Sequence, residues 1–509
     1  MSLARSWSVT LSGVSGAMVE IEADLSAGLP GVAFTGLADT TVVEARDRIR
    51  AAIVNSGLEW PNRKITVALL PADIRKIGSR FDLALALAVL GCADQVPHAA
   101  LADAVWLAEL GLDGRLRPIR GMLPSIRAAH QAGMRHAVVA PGNAAEAALV
   151  PDVDVRAAVD LRNLVLWLRG EAPAPERAEP GPPDPDQRAV PDLADVAGQA
   201  TARRALEVAA AGGHHACFIG SPGAGKTMLA ERLPGILPQL DDDAALEVTT
   251  VYSVAGLLGP DAHLVRRPPL QAPHHTASVA SLVGGGSQLA RPGAISLAHH
   301  GVLFLDEAAE FSPRALDALR QPLENGVMTL HRSGGAVSYP ARFQLVLAAN
   351  PCPCGSRGAE CACAPALRRR YQQRLSGPLL DRVDLRIQVD PVPQADLFAT
   401  ADRESSAAVA VRVLGARNST LQRWGESGWR INRAVPGRDL RCGRWRLSRA
   451  ALRPAERYLE RGQLSARGFD RVLRLAWSIA DLAGHTVPDA GDVAEALYFR
   501  TGDAGQWAA

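Results

Sequence analysis

A chain of 509 residues is too long for one hydrophobic core and implies roughly two to four domains. Its 48% hydrophobic and 21% charged residues exclude an intrinsically disordered chain. A net charge of only +2 excludes a global pull toward nucleic acid or an acidic membrane, so any nucleic-acid contact must come from local patches. The N-terminal segment has no long apolar core of the secretory kind. The longest apolar run, Leu83 to Cys92, is too short to span a bilayer. Seven cysteines, four of them clustered, suit a reducing cytosol and a metal site better than a disulfide scaffold, so a cytoplasmic protein without a membrane partner is expected. Of 55 basic side chains only Lys64, Lys76 and Lys226 are lysines. Arginine-rich stretches therefore read as coding bias and carry less weight than usual.

In chain order, residues 1–170 alternate short strands and helices. Ser8 to Leu11 and Met18 to Ala23 read as strands. Thr40 to Asn55 reads as an amphipathic helix with Val43, Ile49 and Ile53 on one side. Lys64 to Leu69 is a strand, and Phe81 to Leu90 a buried helix. Trp106 to Leu110 and Ala137 to Ala140 read as strands flanking a helix from Leu123 to Gln131. This is an α/β or α+β domain with no phosphate-binding loop of its own. Residues 171–190, rich in proline and charge, read as an extended linker. From 191 a helix over Thr201 to Ala211 precedes the strand Ala216 to Ile219, and strand and helix signals alternate to 397, as a nucleotide-binding α/β sheet requires. From 398 to 509 the pattern is mostly helical, over Ala401 to Val413, Arg449 to Arg461, Arg467 to Leu482 and Ala490 to Tyr498.

The strand at 216–219 runs into Gly220, Ser221, Pro222, Gly223, Ala224, Gly225, Lys226 and Thr227, and a helix comes next. This is the context a P-loop needs. The glycines let backbone N–H groups close around phosphates, and the helix N-terminus adds favourable charge. Lys226 would reach the β- and γ-phosphates of ATP, and the Thr227 hydroxyl would ligate Mg²⁺. A second buried strand, Val302 to Leu305, delivers Asp306 and Glu307. Asp306 would hold Mg²⁺ through water, and Glu307 would polarise the attacking water. A third, Phe343 to Ala349, ends in Asn350, which could orient that water or simply cap a loop. Arg382, at a helix end, could reach a neighbouring subunit's γ-phosphate, with Arg374 as the competing candidate. Arg467 opens a helix in the C-terminal region and could contact phosphate from there. From spacing alone, a surface salt bridge for Arg382 and a solvated first-turn arginine for Arg467 are the commoner readings.

Three further features stand out. Cys352, Cys354, Cys361 and Cys363 could wrap a structural, tetrahedral Zn²⁺; free thiols or a labile disulfide pair are the alternatives. Residues 326–330 and 336–339 flank a glycine-containing turn and read as a hairpin. His331 and Arg332 near its tip are candidates for DNA phosphate contact, or for a solvated turn. Residues 412–461 interleave arginine with Trp424, Trp429 and Trp445, a composition that serves either base stacking or ordinary packing.

The ordered set resembles the AAA+ ATPases. The stretches Gln271 to Thr276, Gly284 to Gly286, Arg291 to His299 and Ser376 to Arg382 are similar to the magnesium-chelatase-like branch. Together with the N-terminal domain, they resemble the ComM/YifB family over nearly the whole chain. The resemblance implies a P-loop AAA+ core with a C-terminal helical lid, preceded by a Lon-protease-like domain. It implies Lys226 and Thr227 as Walker A, Asp306 and Glu307 as Walker B, Asn350 as sensor 1, Arg382 as arginine finger and Arg467 as sensor 2. It also implies a homo-oligomeric ring, most readily a hexamer, with ATP sites between subunits. The implied work is on single-stranded or branched DNA, as a helicase in branch migration during natural transformation. Leu70 to Ser79 and Gly111 to Gly121 carry the likeness to Lon. A Lon-type protease needs a serine and a lysine of lowered pKa. Ser79 lies near the serine position, but Leu123 stands where the lysine should be, so a non-proteolytic domain is expected. A chelatase-type motor acting on a protein or tetrapyrrole partner is the rival reading.

Overall fold

Side chains along the first two strands alternate between a common core and the opposite face, and they found a mixed eight-stranded sheet. A computed structural model describes residues 3–36, 39–182, 191–286, 290–332, 335–356, 361–398 and 403–502. The strands are β1 (Leu3–Ser12), β2 (Ser15–Ser26), β3 (Gly31–Thr35), β4 (Lys64–Leu70), β5 (Ala104–Leu107), β6 (His136–Val139), β7 (Asp154–Ala157) and β8 (Glu176–Arg177). Their order is β8-β7-β6-β5-β1-β2-β4-β3. The run read as one strand over Trp106 to Leu110 breaks at Ala108. Its second half, Glu109–Leu110, pairs instead with Leu116–Arg117 in a separate ribbon. β8 pairs with β7 and so carries this sheet into the segment read as a linker. Residues 183–190 of that segment lie outside the described residues.

Helices cover both faces of this sheet. α1 (Thr40–Asn55) is capped by Asp39, whose side chain accepts from the Val42 N–H. Ile49 and Ile53 are buried as expected, while the side chain of Val43 lies outside the description. α2 (Asp82–Cys92) is buried along its whole length, which explains its uninterrupted apolar sequence. Each buried leucine contributes about 1.5–3 kcal/mol. α3 (Met122–Gln131) lies on the other face with a smaller core around Val9, Leu107 and Val139.

The second sheet is entirely parallel. It comprises β9 (Ala216–Gly220), β10 (Leu270–Gln271), β11 (Val302–Leu305), β14 (Gln344–Ala349) and β15 (Leu385–Val389), in the order β10-β11-β14-β9-β15. A hairpin of β12 (Val327–Arg332) and β13 (Gly335–Pro340) precedes β14. Every residue of β9, β11 and β14 is buried. Alternate residues serve two cores. Phe218, Phe304 and Val346 face α4 (Ala200–Gly212), α5 (Lys226–Ile236) and the C-terminal helices, while Cys217, Leu303 and Leu345 face the segment 279–330. Burial on both faces is why these strands read as continuous apolar runs.

The chain then passes through α6 (Asp242–Ala255), between β9 and β10, and ends in α7 (Ser406–Trp424), α8 (Arg449–Glu460), α9 (Ala466–Ala483) and α10 (Ala490–Thr501). α7 continues eleven residues beyond its expected end at Val413, to Trp424. Trp424 is fully buried and meets Trp445 at 4.5 Å, Trp477 at 5.6 Å and Trp429 at 6.0 Å between ring centroids, edge to face. Its indole N–H donates to Asn432 Oδ1 at 2.8 Å. The tryptophans are thus the core of the bundle, and the base-stacking reading of this region is set aside.

Asp384 fastens the bundle to the sheet. It is fully buried, accepts from the His215 N–H at 3.0 Å and pairs with Arg471 of α9. Burial alone would push its carboxyl up, but His214 and Arg471 hold it well below the usual carboxylate range. Several contacts among the described residues join the two sheets, Gly181 N donating to Ala262 O at 3.0 Å among them. α3 packs on α6, where Gly121 N donates to Ser253 O at 3.1 Å and Ser253 Oγ donates to Glu146. The β1–β2 turn rests on the hairpin so closely that a Cβ at Gly13 would lie 2.7 Å from the Ser338 carbonyl oxygen. Leu11 and Val14 there join Leu330, Val337, Tyr339 and Val254 in one apolar cluster. Among the described residues no helix is long and apolar enough to cross a membrane.

Candidate active site

Parallel pairing brings the carboxyl ends of three strands to one edge. Ile219 stands beside Ala349, and Leu305 beside Leu347. The loop after β9 turns through Gly223 (φ +78°) and Gly225 (φ +91°), left-handed conformations that favour glycine. Lys226 then starts α5 with its side chain folded back and buried. Its Nζ donates to Gly220 O at 2.8 Å, to Ser221 O at 2.9 Å and to Asn350 Oδ1 at 3.1 Å. The Thr227 hydroxyl donates to Asp306 Oδ2 at 2.7 Å. The other Asp306 oxygen accepts from the Glu307 N–H at 2.8 Å. Glu307 has φ +49°, uncommon for a residue with a side chain, and this re-aims its carboxylate outward. The carboxylate meets His275 Nδ1 at 3.0 Å. Lys226, Thr227, Asp306, Glu307 and Asn350 therefore form one constellation.

His275 is the residue that reading the motifs for chemistry missed. It comes after β10, which has only two residues and is too short to read as a strand. Tyr371 lies buried nearby. Burial and the carboxylates of Glu310 and Glu307 push its phenol up to about 12, so it stays neutral.

The arginines separate. Arg374 stays beside the segment after Glu307, donating to Ala309 O at 3.2 Å and Glu310 Oε2 at 2.8 Å. Arg382 lies at the amino end of β15. It donates to Pro378 O at 2.7 Å and pairs with Glu324, while its buried Nε has no partner among the described residues. Arg467, exposed in the first turn of α9, lines the same cleft as Arg382, about 960 Å³ in volume. The cleft also includes Gly213, Gly301 and Phe343, at the amino ends of the strands. Eight arginines line it against three carboxylates. Arg467 thus shares the cleft with Arg382. It stands with Arg382 at the amino ends of the strands, while Lys226 follows the carboxyl end of β9. The helical bundle packs behind the sheet rather than over that loop.

Beside the cleft, Glu247 of α6 binds the start of β11. Its Oε2 accepts from Nε2 of both His299 and His300 at 2.9 Å, and His299 Nδ1 accepts from the Arg342 N–H at 3.0 Å. These partners fix His299 as the neutral tautomer, and burial pushes it down to about 4. A depressed histidine destabilises on acidification, because below 6.5 the unfolded chain takes the proton first. Glu247, held down to about 2 chiefly by the His299 hydrogen bond, acts in the same sense at lower pH. Stability measured by chemical denaturation should therefore fall between about pH 6.5 and 4. His299→Asn should be less stable at pH 7 but show a shallower fall.

Of the hairpin candidates, His331 is exposed on β12. Arg332 belongs to β12, but its side chain, like residues 333–334, lies outside the described residues. The four cysteines beyond Asn350 converge, with their sulfurs all within 4.8 Å of one another.

The sequence matches three family descriptions in succession. These are "Subunit ChlI of Mg-chelatase" over residues 21–143, "Magnesium chelatase, subunit ChlI" over 192–397, and "Magnesium chelatase, subunit ChlI C-terminal" over 403–500. An uncharacterized protein of Mycobacterium tuberculosis is 53% identical, covering 98% of this chain and 99% of its own length. Competence protein ComM of Haemophilus influenzae is 42% identical over 98% of both chains. YifB of Escherichia coli is 41% identical over 96% of both. With relatives of this identity along nearly its full length, the chain belongs to the ComM/YifB family of magnesium-chelatase-like AAA+ ATPases.

Proposed function

We propose that the protein works in the cytoplasm as a ring of identical subunits, most readily a hexamer, which hydrolyses ATP between neighbours to remodel DNA. The observation that carries this reading is the division of the site. One edge of each subunit has the phosphate loop and its acids, and the opposite edge has an arginine-lined cleft with Arg382 and Arg467. Two subunits packed edge to edge would complete one site. Arg374 lies beside the segment after Glu307, on the same edge as the phosphate loop, whereas Arg382 lines the cleft at the opposite edge, which supports Arg382 as the arginine supplied in trans.

The residues fit ATP and Mg²⁺. Lys226 is tied to carbonyl oxygens and an amide, partners it can exchange for phosphate oxygens. Thr227 and Asp306 offer hard oxygens 2.7 Å apart, the donor set Mg²⁺ prefers. Bound Mg²⁺ would neutralise charge on the phosphates. Glu307 takes the proton of the attacking water, and Asn350 orients that water. His275 holds the Glu307 carboxylate and is a positioning residue. Arg382 and Arg467 of the neighbour stabilise charge as the γ-phosphoryl group leaves.

DNA as the client is supported by the likeness to a protein named for competence and by the exposed His331 at the hairpin. We read the N-terminal domain as Lon-like but non-proteolytic. Ser79 Oγ donates to Glu109, the Lys76 ammonium donates to Pro71 O, and Leu123 is buried, so no lysine serves Ser79 as base among these partners. The test is steady-state ATPase of the full chain with single-stranded, duplex and four-way-junction DNA. Stimulation of several-fold, greatest on single strands or junctions, is expected. A rate unchanged by every DNA would sink the DNA assignment and direct attention to a chelatase-type protein or tetrapyrrole client.

A further inference from the structure

We propose that Cys352, Cys354, Cys361 and Cys363 hold one Zn²⁺ as a tetrathiolate, and that this zinc clamps the loop roofing the phosphate-binding loop. All four are free cysteines. The sulfur separations are 3.1 Å between Cys352 and Cys354, 3.4 Å between Cys361 and Cys352, and 3.7 Å between Cys354 and Cys361. A disulfide would need about 2.05 Å. A tetrahedron with Zn–S bonds of about 2.3 Å has edges of about 3.8 Å. All four sulfurs already lie within 4.8 Å of one another, so a small expansion admits the ion. An iron–sulfur cluster is larger than this cage. The C-x-C spacing is tighter than that of most zinc fingers, but the pairs approach from two directions. One leaves β14, and the other leads into the helix Pro365–Gln372.

Those two directions give the site a purpose. Two residues before Cys352, Asn350 accepts from Lys226. One residue after Cys354, Gly355 (φ +79°) abuts the phosphate loop so closely that a Cβ there would lie 2.5 Å from Pro222 Cδ. On the other side, the helix after Cys363 ends near Arg374, which holds Ala309 and Glu310 just beyond Glu307. The metal would cross-link the strap joining the loop that grips phosphate to the segment that bears the acids. This second half rests on the ATP-site reading; the zinc content does not.

Metal analysis of the full chain, purified without chelators, tests the site itself. One zinc per chain is expected in the wild type, near zero in Cys361→Ser/Cys363→Ser, and one in Cys442→Ser, whose thiol is exposed and outside the cluster. Protein produced in cobalt-supplemented medium should show the ligand-field bands of tetrahedral thiolate coordination, a readout that needs no variant. Wild type free of zinc, or carrying iron in its place, overturns the assignment. The clamp is tested by nucleotide binding, where the double variant should bind ATP about tenfold more weakly. Unchanged affinity with zinc absent would overturn the clamp and leave the zinc site standing.

Discussion

Arg382→Ala is expected to lower ATP turnover by about 10³-fold or more, the range lost when an arginine that stabilises phosphoryl transfer is removed. Nucleotide binding should survive, because Lys226 and Thr227 lie at the other edge of the sheet. The guanidinium is held by one nitrogen donating to Pro378 O and another paired with Glu324, while its buried Nε has no partner among the described residues. The decisive version is a mixture. Lys226→Ala subunits keep an intact cleft, and Arg382→Ala subunits keep an intact phosphate loop. If sites form between neighbours, mixed rings contain some sites with both halves, and activity returns in a ratio-dependent way. Silence at every mixing ratio, with each variant alone still assembling, would show that Arg382 acts within its own chain or not at all. Full loss with Arg374→Ala and none with Arg382→Ala would reverse the assignment of the two arginines.

Glu307→Gln should reduce hydrolysis by about 10² to 10⁴-fold, the contribution of a positioned general base. Its amide is nearly isosteric but cannot accept the proton from water. Asp306, which pairs with Thr227, is untouched, so ATP should remain bound. Single-turnover measurement should therefore show normal binding and then a stalled chemical step. A matching loss of ATP affinity would mean that Glu307 holds the metal or the fold. A rate within a few-fold of wild type would mean that another group takes the proton. Asn350→Ala is the natural comparison, since it also removes a partner of Lys226 and should affect binding as well as rate.

Much of this site was legible because buried parallel strands write themselves as apolar runs, and the residues just past the end of each run must lie at one edge. Phe218, Phe304 and Val346 face one core and their neighbours another, so no position in these strands tolerates charge. The location of Arg467 was not legible. It depends on where the C-terminal bundle packs, and Asp384, Arg471 and His215 decide that through contacts between residues far apart in sequence. The tryptophans near residue 430 were ambiguous for a similar reason. Arginine beside tryptophan suits either a nucleic-acid surface or a core where, as here, Arg423 lies 4.2 Å above the Trp477 ring and pairs with Asp481. β15 escaped notice because its sequence, LRIQV, interrupts the apolar run with two polar residues at the sheet's edge.

The seating of the β1–β2 turn on the hairpin has a mechanical meaning. Leu330 and Val337 of the hairpin share their apolar cluster with Leu11 and Val14. The hairpin is therefore splinted, and a load applied at His331 passes into the eight-stranded sheet instead of bending a free ribbon. The N-terminal domain thus braces the hairpin against bending. Shorn of it, the hairpin would be both floppier and stickier, with Leu330, Val337 and Val254 uncovered together.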